Sequence, residues 1–77
     1  MSVLQSISEH FAENGLDLDP EEDLFSSGQV DSVSMMEAIA FIENKFQVTV
    51  PHDELIPDNF RSLQIIAGYI EGKLKHP

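Results

Sequence analysis

Three stretches of this 77-residue chain repeat apolar residues at helical spacing, and they leave little sequence for any other architecture. In the first stretch Leu4, Ile7 and Phe11 recur at i, i+3 and i+7, with Ser2 placed to cap the start and Gly15 placed to stop it. In the last, Leu63, Ile66, Ala67, Ile70 and Leu74 form one stripe. Ser62 can cap this stretch, while Lys73 and Lys75 suit the negative end of its dipole. The middle stretch runs from about Ser32 to Phe46. Gln47-Val48-Thr49-Val50-Pro51 has β propensity but no partner run, so it reads as a connector carrying Val48 and Val50 inward. A short helix fits at Asp53–Ile56, before Pro57. The expected fold is all-α: a small four-helix bundle of three main helices and one short one. One domain over 1–77 is expected, with 75–77 as a frayed tail. A domain of this size buries roughly 60% of its unfolded surface.

The middle helix carries more information than its neighbours. At about 100° per residue, Met35, Ala38, Ile39, Ile42 and Phe46 share one broad face, which should be core. Val33, Glu37, Ala40 and Asn44 fall roughly opposite, with Met36 and Glu43 on the flank. A helix packed on one side does not need Val33, Met36 and Ala40 there. Either it is covered on more than one side, or it keeps a small apolar patch for a partner.

Between the first two helices lies a long segment, Gly15 to Asp31, without a sustained period. Leu16, Leu18, Leu24 and Phe25 are spaced to anchor it in the core, so the loop should be ordered. Asp19-Pro20-Glu21-Glu22 has the form of a cap, a proline at the first helical position and an acidic turn.

Charge narrows the function. The net charge is −10, and residues 1–44 hold ten acids with no Lys or Arg, whereas 45–77 hold four of each sign. Such a surface repels phosphate backbones and anionic lipid heads, so it disfavours nucleic acid and membrane surfaces and favours partners bearing Lys and Arg. A hydrophobic content of 42% is too high for a disordered acidic tail. The absence of cysteine excludes disulfide and thiolate chemistry by the chain itself. The N-terminal residues lack the pattern of a signal peptide, and the longest apolar run, Ala38–Ile42, is far short of the ~20 residues of a membrane span. A cytoplasmic monomer is the expectation.

Three candidate chemistries follow. His10, His52 and His76 are far apart, and a chain this short leaves little volume for both a substrate pocket and a core, so an enzyme is not expected. Asp17, Asp19, Glu21 and Asp23 alternate like the first ligands of a calcium loop. However, Glu22 stands where glycine is needed, and Gly28 where the bidentate Glu belongs. A solvated acidic loop is preferred, and no metal site is expected. The third candidate is Gly28-Gln29-Val30-Asp31-Ser32-Val33, before the middle helix. Asp31 or Ser32 can cap that helix, and Ser34 with Glu37 offers an alternative capping box. A serine at a helix N-terminus also holds its hydroxyl where free N–H groups and the dipole favour an attached phosphate.

The ordered set Leu24-Phe25-Ser26-Ser27-Gly28-Gln29-Val30-Asp31-Ser32-Val33, then Met36-Glu37 and Ile42-Glu43-Asn44-Lys45-Phe46, resembles the acyl and peptidyl carrier protein family. Val50-Pro51 and Phe60-Arg61-Ser62-Leu63-Gln64-Ile65-Ile66-Ala67-Gly68-Tyr69-Ile70 extend the resemblance over nearly the whole chain. In that family the motif is usually Asp-Ser-Leu, and the serine hydroxyl is esterified through phosphate to 4′-phosphopantetheine. The resemblance places the attachment at Ser32, with Val33 standing where Leu is usual. It implies a non-enzymatic carrier of acyl or aminoacyl cargo, held as a thioester on the thiol of the arm. The implied partners are a phosphopantetheinyl transferase, an acyl- or aminoacyl-activating ligase and a downstream synthase or transferase. Asp31, Glu37 and Glu43 would meet basic partner residues, and Val33, Met36 and Ala40 would supply an apolar contact. Asp53–Phe60 is slightly longer than in fatty-acid synthase carriers, and Asn44-Lys45 replaces part of their acidic second helix. Both departures suggest a stand-alone carrier of a specialised pathway. The competing reading is an acidic helical adaptor with no prosthetic group.

Overall fold

Helix α1 spans Val3–Glu13, α2 Ser32–Phe46 and α3 Leu63–Lys75 in a computed structural model that describes residues 2–26 and 28–75. Ser27, which belongs to the family-like motif, lies outside the described residues, as do His76 and the tail positions 76–77; Lys75 closes α3. The starts of the helices follow from short polar side chains. The Gln5 amide donates to Ser2 Oγ at 3.0 Å, and the Ile65 amide donates to Ser62 Oγ at 3.2 Å. The end of α1 is a Schellman closure. Gly15 takes φ +85°, its amide donates to the Ala12 carbonyl and that of Leu16 to the Phe11 carbonyl at 2.8 Å. Glycine adopts that backbone without the Cβ penalty.

The helices pack around one apolar core. Ile7 and Phe11 of α1, Met35, Ala38 and Ile42 of α2, and Leu63, Ile66, Ala67 and Ile70 of α3 are buried there. Helix α1 packs most extensively on α3 and also touches α2. The expected core face of α2 is therefore narrower than its pattern: Ile39 and Phe46 are only half-buried. Leu74, at the end of the α3 stripe, is 46% exposed, so the stripe is buried only as far as Ile70.

The loop between α1 and α2 is ordered, as its apolar anchors require. Leu18 and Leu24 are buried and Leu16 is half-buried. The Leu24 amide donates to the Arg61 carbonyl at 2.7 Å and the Gln64 amide to the Pro20 carbonyl at 3.0 Å, so the loop is stitched to the start of α3. Arg61 adds ion pairs to Asp23 (3.3 Å) and Asp58 (2.9 Å). Asp19-Pro20-Glu21-Glu22 makes a turn rather than a helix. The Asp19 carboxylate accepts the Glu21 amide, and the helix is not carried further. Phe25, expected as an anchor, is 42% exposed.

After α2, Gln47 closes the helix in the left-handed region, and no strand follows among the described residues. The expected short helix at Asp53–Ile56 is replaced by two single 3₁₀ turns, His52–Glu54 and Pro57–Asn59. Pro57 cannot donate to a helix running through it but fits the first position of the second turn, so the segment divides there. Among the described residues the bundle is thus three helices with a kinked connector in the place of the fourth.

Candidate functional site

The chain enters α2 through a short, strongly constrained approach. Gly28 has φ +74°, and no other group crowds the place of a Cβ there, so backbone conformation rather than space favours glycine. Val30 is buried and fixes the level at which the chain arrives. Asp31 then caps α2: its backbone is extended, and its carboxylate accepts the Ser34 amide at 2.8 Å. That bond, more than any other contact, holds the Asp31 carboxyl below the usual carboxylate range. The Ser34 hydroxyl and the Val33 amide act in the same direction.

This resolves the choice among caps. Asp31 does the capping, so Ser32 becomes the first helical residue, and its exposed side chain has no hydrogen bond among the described residues. The arrangement leaves a primary hydroxyl in water at the positive end of a 15-residue helix, one position past the group that stabilises that end. The donor chemistry suits a phosphodiester there. The oxygen is accessible, and the amides of the first turn have no partner one helical turn earlier.

Beside Ser32 opens a groove of about 460 Å³. Its lining is mostly apolar, with Phe25 from the loop, Met36 and Ile39 from α2, and Leu55 and Ile56 from the connector. Sequence reasoning missed Leu55 and Ile56 as parts of a site. The available signal was an adjacent apolar pair in a segment too short to bury it. Phe25, expected as a core anchor, lines the groove instead.

The six residues expected to meet partners do not form one uniform face. Val33 and Met36 are 65% and 69% exposed, and Asp31, Glu37 and Ala40 are exposed as well. Asp31 and Met36 border the groove, whereas Glu37 lines a small cleft toward α1 together with His10, Asn14 and Leu16. Glu43 is half-buried, and its carboxylate accepts the Val50 amide at 2.9 Å. One acid is therefore occupied in holding the connector to α2.

The other candidate chemistries find different employment. His10 stacks on Phe41 at 4.4 Å between ring centres and meets the edge of Phe11, while His52 is exposed in the connector. In the acidic loop Asp23 accepts the Phe25 and Ser26 amides and pairs with Arg61. Glu22 accepts from the Gln29 side chain at 2.8 Å. The Ser26 amide is the main reason the Asp23 carboxyl lies below its usual range. These carboxylates act as turn acceptors. Among the described residues no group of three or more His, Asp or Glu could hold a metal ion. No helix of the described residues is long and apolar enough to cross a membrane.

Residues 2–70 match the protein family described as phosphopantetheine attachment site. The chain is also 40% identical over 70 residues to a D-alanyl carrier protein of Streptococcus mutans, covering 90% of this chain and 87% of that one. D-alanyl carrier proteins of Streptococcus sanguinis and Streptococcus suis are 36% and 34% identical, again over about nine-tenths of each chain.

Proposed function

The chain belongs to the phosphopantetheine attachment site family of carrier proteins, and we propose that Ser32 is the residue that bears the group, within a single carrier domain spanning 1–77. The observation that carries this reading is the position of Ser32: exposed, first in α2, relieved of capping by Asp31 and at the rim of an apolar groove. When bound, 4′-phosphopantetheine supplies a terminal thiol on a long flexible arm, and this thiol holds cargo as a thioester. The chain's own residues do the rest. Asp31 fixes the first turn of α2, so the hydroxyl is presented from a rigid element rather than from a loop. The amides at that end that the Asp31 carboxylate does not take up offer donors to a phosphate oxygen. Leu24, Val30 and the Arg61 pairs hold the approach in register.

The cargo proposed is an aminoacyl group, with D-alanine the first to test, because the relatives named above are D-alanyl carrier proteins of almost the same length. The partners are a phosphopantetheinyl transferase, an aminoacyl-activating ligase and a downstream transferase, each visiting the surface around Ser32. Val33 and Met36 offer the apolar contact, and Asp31, Glu37 and Ala40 surround it. Such interfaces must be small to release quickly, and acidic rims raise encounter rates with basic partners. The chain contributes recognition and presentation, not catalysis.

Loading provides the test. After conversion with coenzyme A and a broad-specificity phosphopantetheinyl transferase, a D-alanine-activating ligase and ATP should add one alanyl group that hydroxylamine removes. Ser32→Ala should accept neither group while keeping its helical circular dichroism. A Ser32→Ala variant that loads normally refutes the assignment. Loading of other amino or fatty acids in preference to D-alanine refutes the cargo but not the site.

A further inference from the structure

The wall of the groove facing α2 is held in an unusual way. Residues 51–59 connect two buried anchors, Val50 and Phe60, yet no residue between them is buried. Leu55 and Ile56 face the groove and remain 40% and 46% exposed. Apolar burial therefore does little to keep this segment in place.

Within itself the segment is well ordered. The Leu55 amide donates to the His52 carbonyl, the Asn59 amide to the Ile56 carbonyl and the Phe60 amide to the Pro57 carbonyl. The Asn59 side chain donates to the Glu54 carbonyl at 2.8 Å, tying the first turn to the second. These bonds make the segment one piece, but none of them attaches it to the bundle.

Among the described residues, the polar contacts that reach from this piece to α3 both come from Glu54, while Asp58 pairs with Arg61 at 2.9 Å, beside the Phe60 hinge, and so fixes the end of the piece and not its middle. The Glu54 carboxylate accepts a short hydrogen bond from the Tyr69 hydroxyl and lies 3.0 Å from the Lys73 ammonium. Tyr69 is positioned for this by its ring, which packs on Phe60 at 5.4 Å, and Lys73 lies over the same ring. The two groups keep the Glu54 carboxyl below its usual range, the Tyr69 hydroxyl first.

We propose that residues 51–59 form a strap over the apolar groove, hinged at Val50 and Phe60 and latched to α3 by Glu54, so that releasing the latch opens the groove while the three helices stay folded. The internal bonds decide that the strap moves as a unit, and the lack of any fully buried residue between the hinges decides that it can move at all. Local opening of this kind draws on the least stable part of a fold. The inference concerns the strap alone and stands whether or not Ser32 carries a group.

Backbone ¹⁵N relaxation on the chain provides the test, with Ser32→Ala as a background that removes any dependence on modification. In the parent the amides of 53–56 and 58 should have order parameters near the rigid value of about 0.85, and in Glu54→Gln or Tyr69→Phe these should drop below about 0.6. Tyr69→Phe keeps the ring on Phe60, so its effect isolates the hydroxyl. An uncharged paramagnetic cosolute should relax the buried Met35 methyl, at the floor of the groove, faster in the same variants. A drop confined to the strap in either variant supports the latch. Order parameters unchanged in both variants, or lowered equally in α1 and α2, overturn it.

Discussion

Leu24→Ala tests whether the long loop before Ser32 is part of the core or merely lies on it. Leu24 has no exposed surface and sits seven residues before Asp31, with its amide bonded to the Arg61 carbonyl. Truncating a fully buried leucine costs about 2–5 kcal/mol, combining lost transfer energy with the cavity left behind. A 77-residue domain has about 4–12 kcal/mol of total stability at 0.05–0.15 kcal/mol per residue. One substitution in a loop would thus remove a large share. A cost of about 3 kcal/mol corresponds to a fall in Tm of about 12–24 °C, at 4–8 °C per kcal/mol for a domain this size. Differential scanning calorimetry reads this directly, and Phe25→Ala provides the contrast. Its neighbouring ring is 42% exposed, so it should cost about 1 kcal/mol or less. A drop in Tm below about 4 °C for Leu24→Ala would refute the reasoning, because it corresponds to no more than about 1 kcal/mol. Equal drops for the two neighbours would refute the distinction between anchor and rim.

Three further outcomes follow from named contacts. Asp31→Ala should speed hydrogen exchange of the Ser34 amide, while Asp31→Asn, an equally good cap, should leave it protected; equal exchange in both would remove the cap. Glu43→Lys should lower Tm, because it takes the acceptor from the Val50 amide, whereas Glu37→Lys should leave Tm unchanged and slow loading by a basic partner at low salt. The reverse ranking in thermal scans would contradict the geometry. Asp23, Asp31 and Glu54 all have carboxyls held below their usual range in the fold. Their stabilisation is therefore complete above the ordinary carboxylate values of about 3.9–4.3 and is lost as pH falls through the lower folded values. Relief of self-repulsion within the net charge of −10 acts the other way on first acidification. Tm should accordingly hold or rise from pH 7 to about 5 and fall below about 4. A Tm that kept rising below that point would show that these carboxylates stabilise the fold by less than the relief of repulsion does.

The three helices were legible because each apolar stripe is periodic and each start has a short polar cap. Ser2, Asp31 and Ser62 all act as caps in the structure. The position of Ser32 was readable from the motif around it, but the choice among Asp31, Ser32 and the Ser34–Glu37 box was not. All three satisfy the same orphan amides, and only geometry separates them. The connector was the least legible part. Its few apolar residues are adjacent rather than periodic, so Leu55 and Ile56 give no sign of which side they face. The Glu54–Tyr69 contact spans 15 residues and has no sequence signature. Glu43 illustrates a related difficulty. An acid on a helix flank reads as surface charge, and nothing in the pattern reveals a backbone amide waiting for it.

The central claim is that one hydroxyl is chosen for its place at the start of α2. The chain has eight serines, of which Ser26, Ser27, Ser32 and Ser34 are close together in sequence near that point. Electron-transfer fragmentation of the intact protein, after reaction with coenzyme A and a phosphopantetheinyl transferase, measures which of them carries the added group. The account predicts a single phosphopantetheine, wholly on Ser32, and none on Ser32→Ala. Modification spread over several serines, or located at any residue other than Ser32, would contradict it.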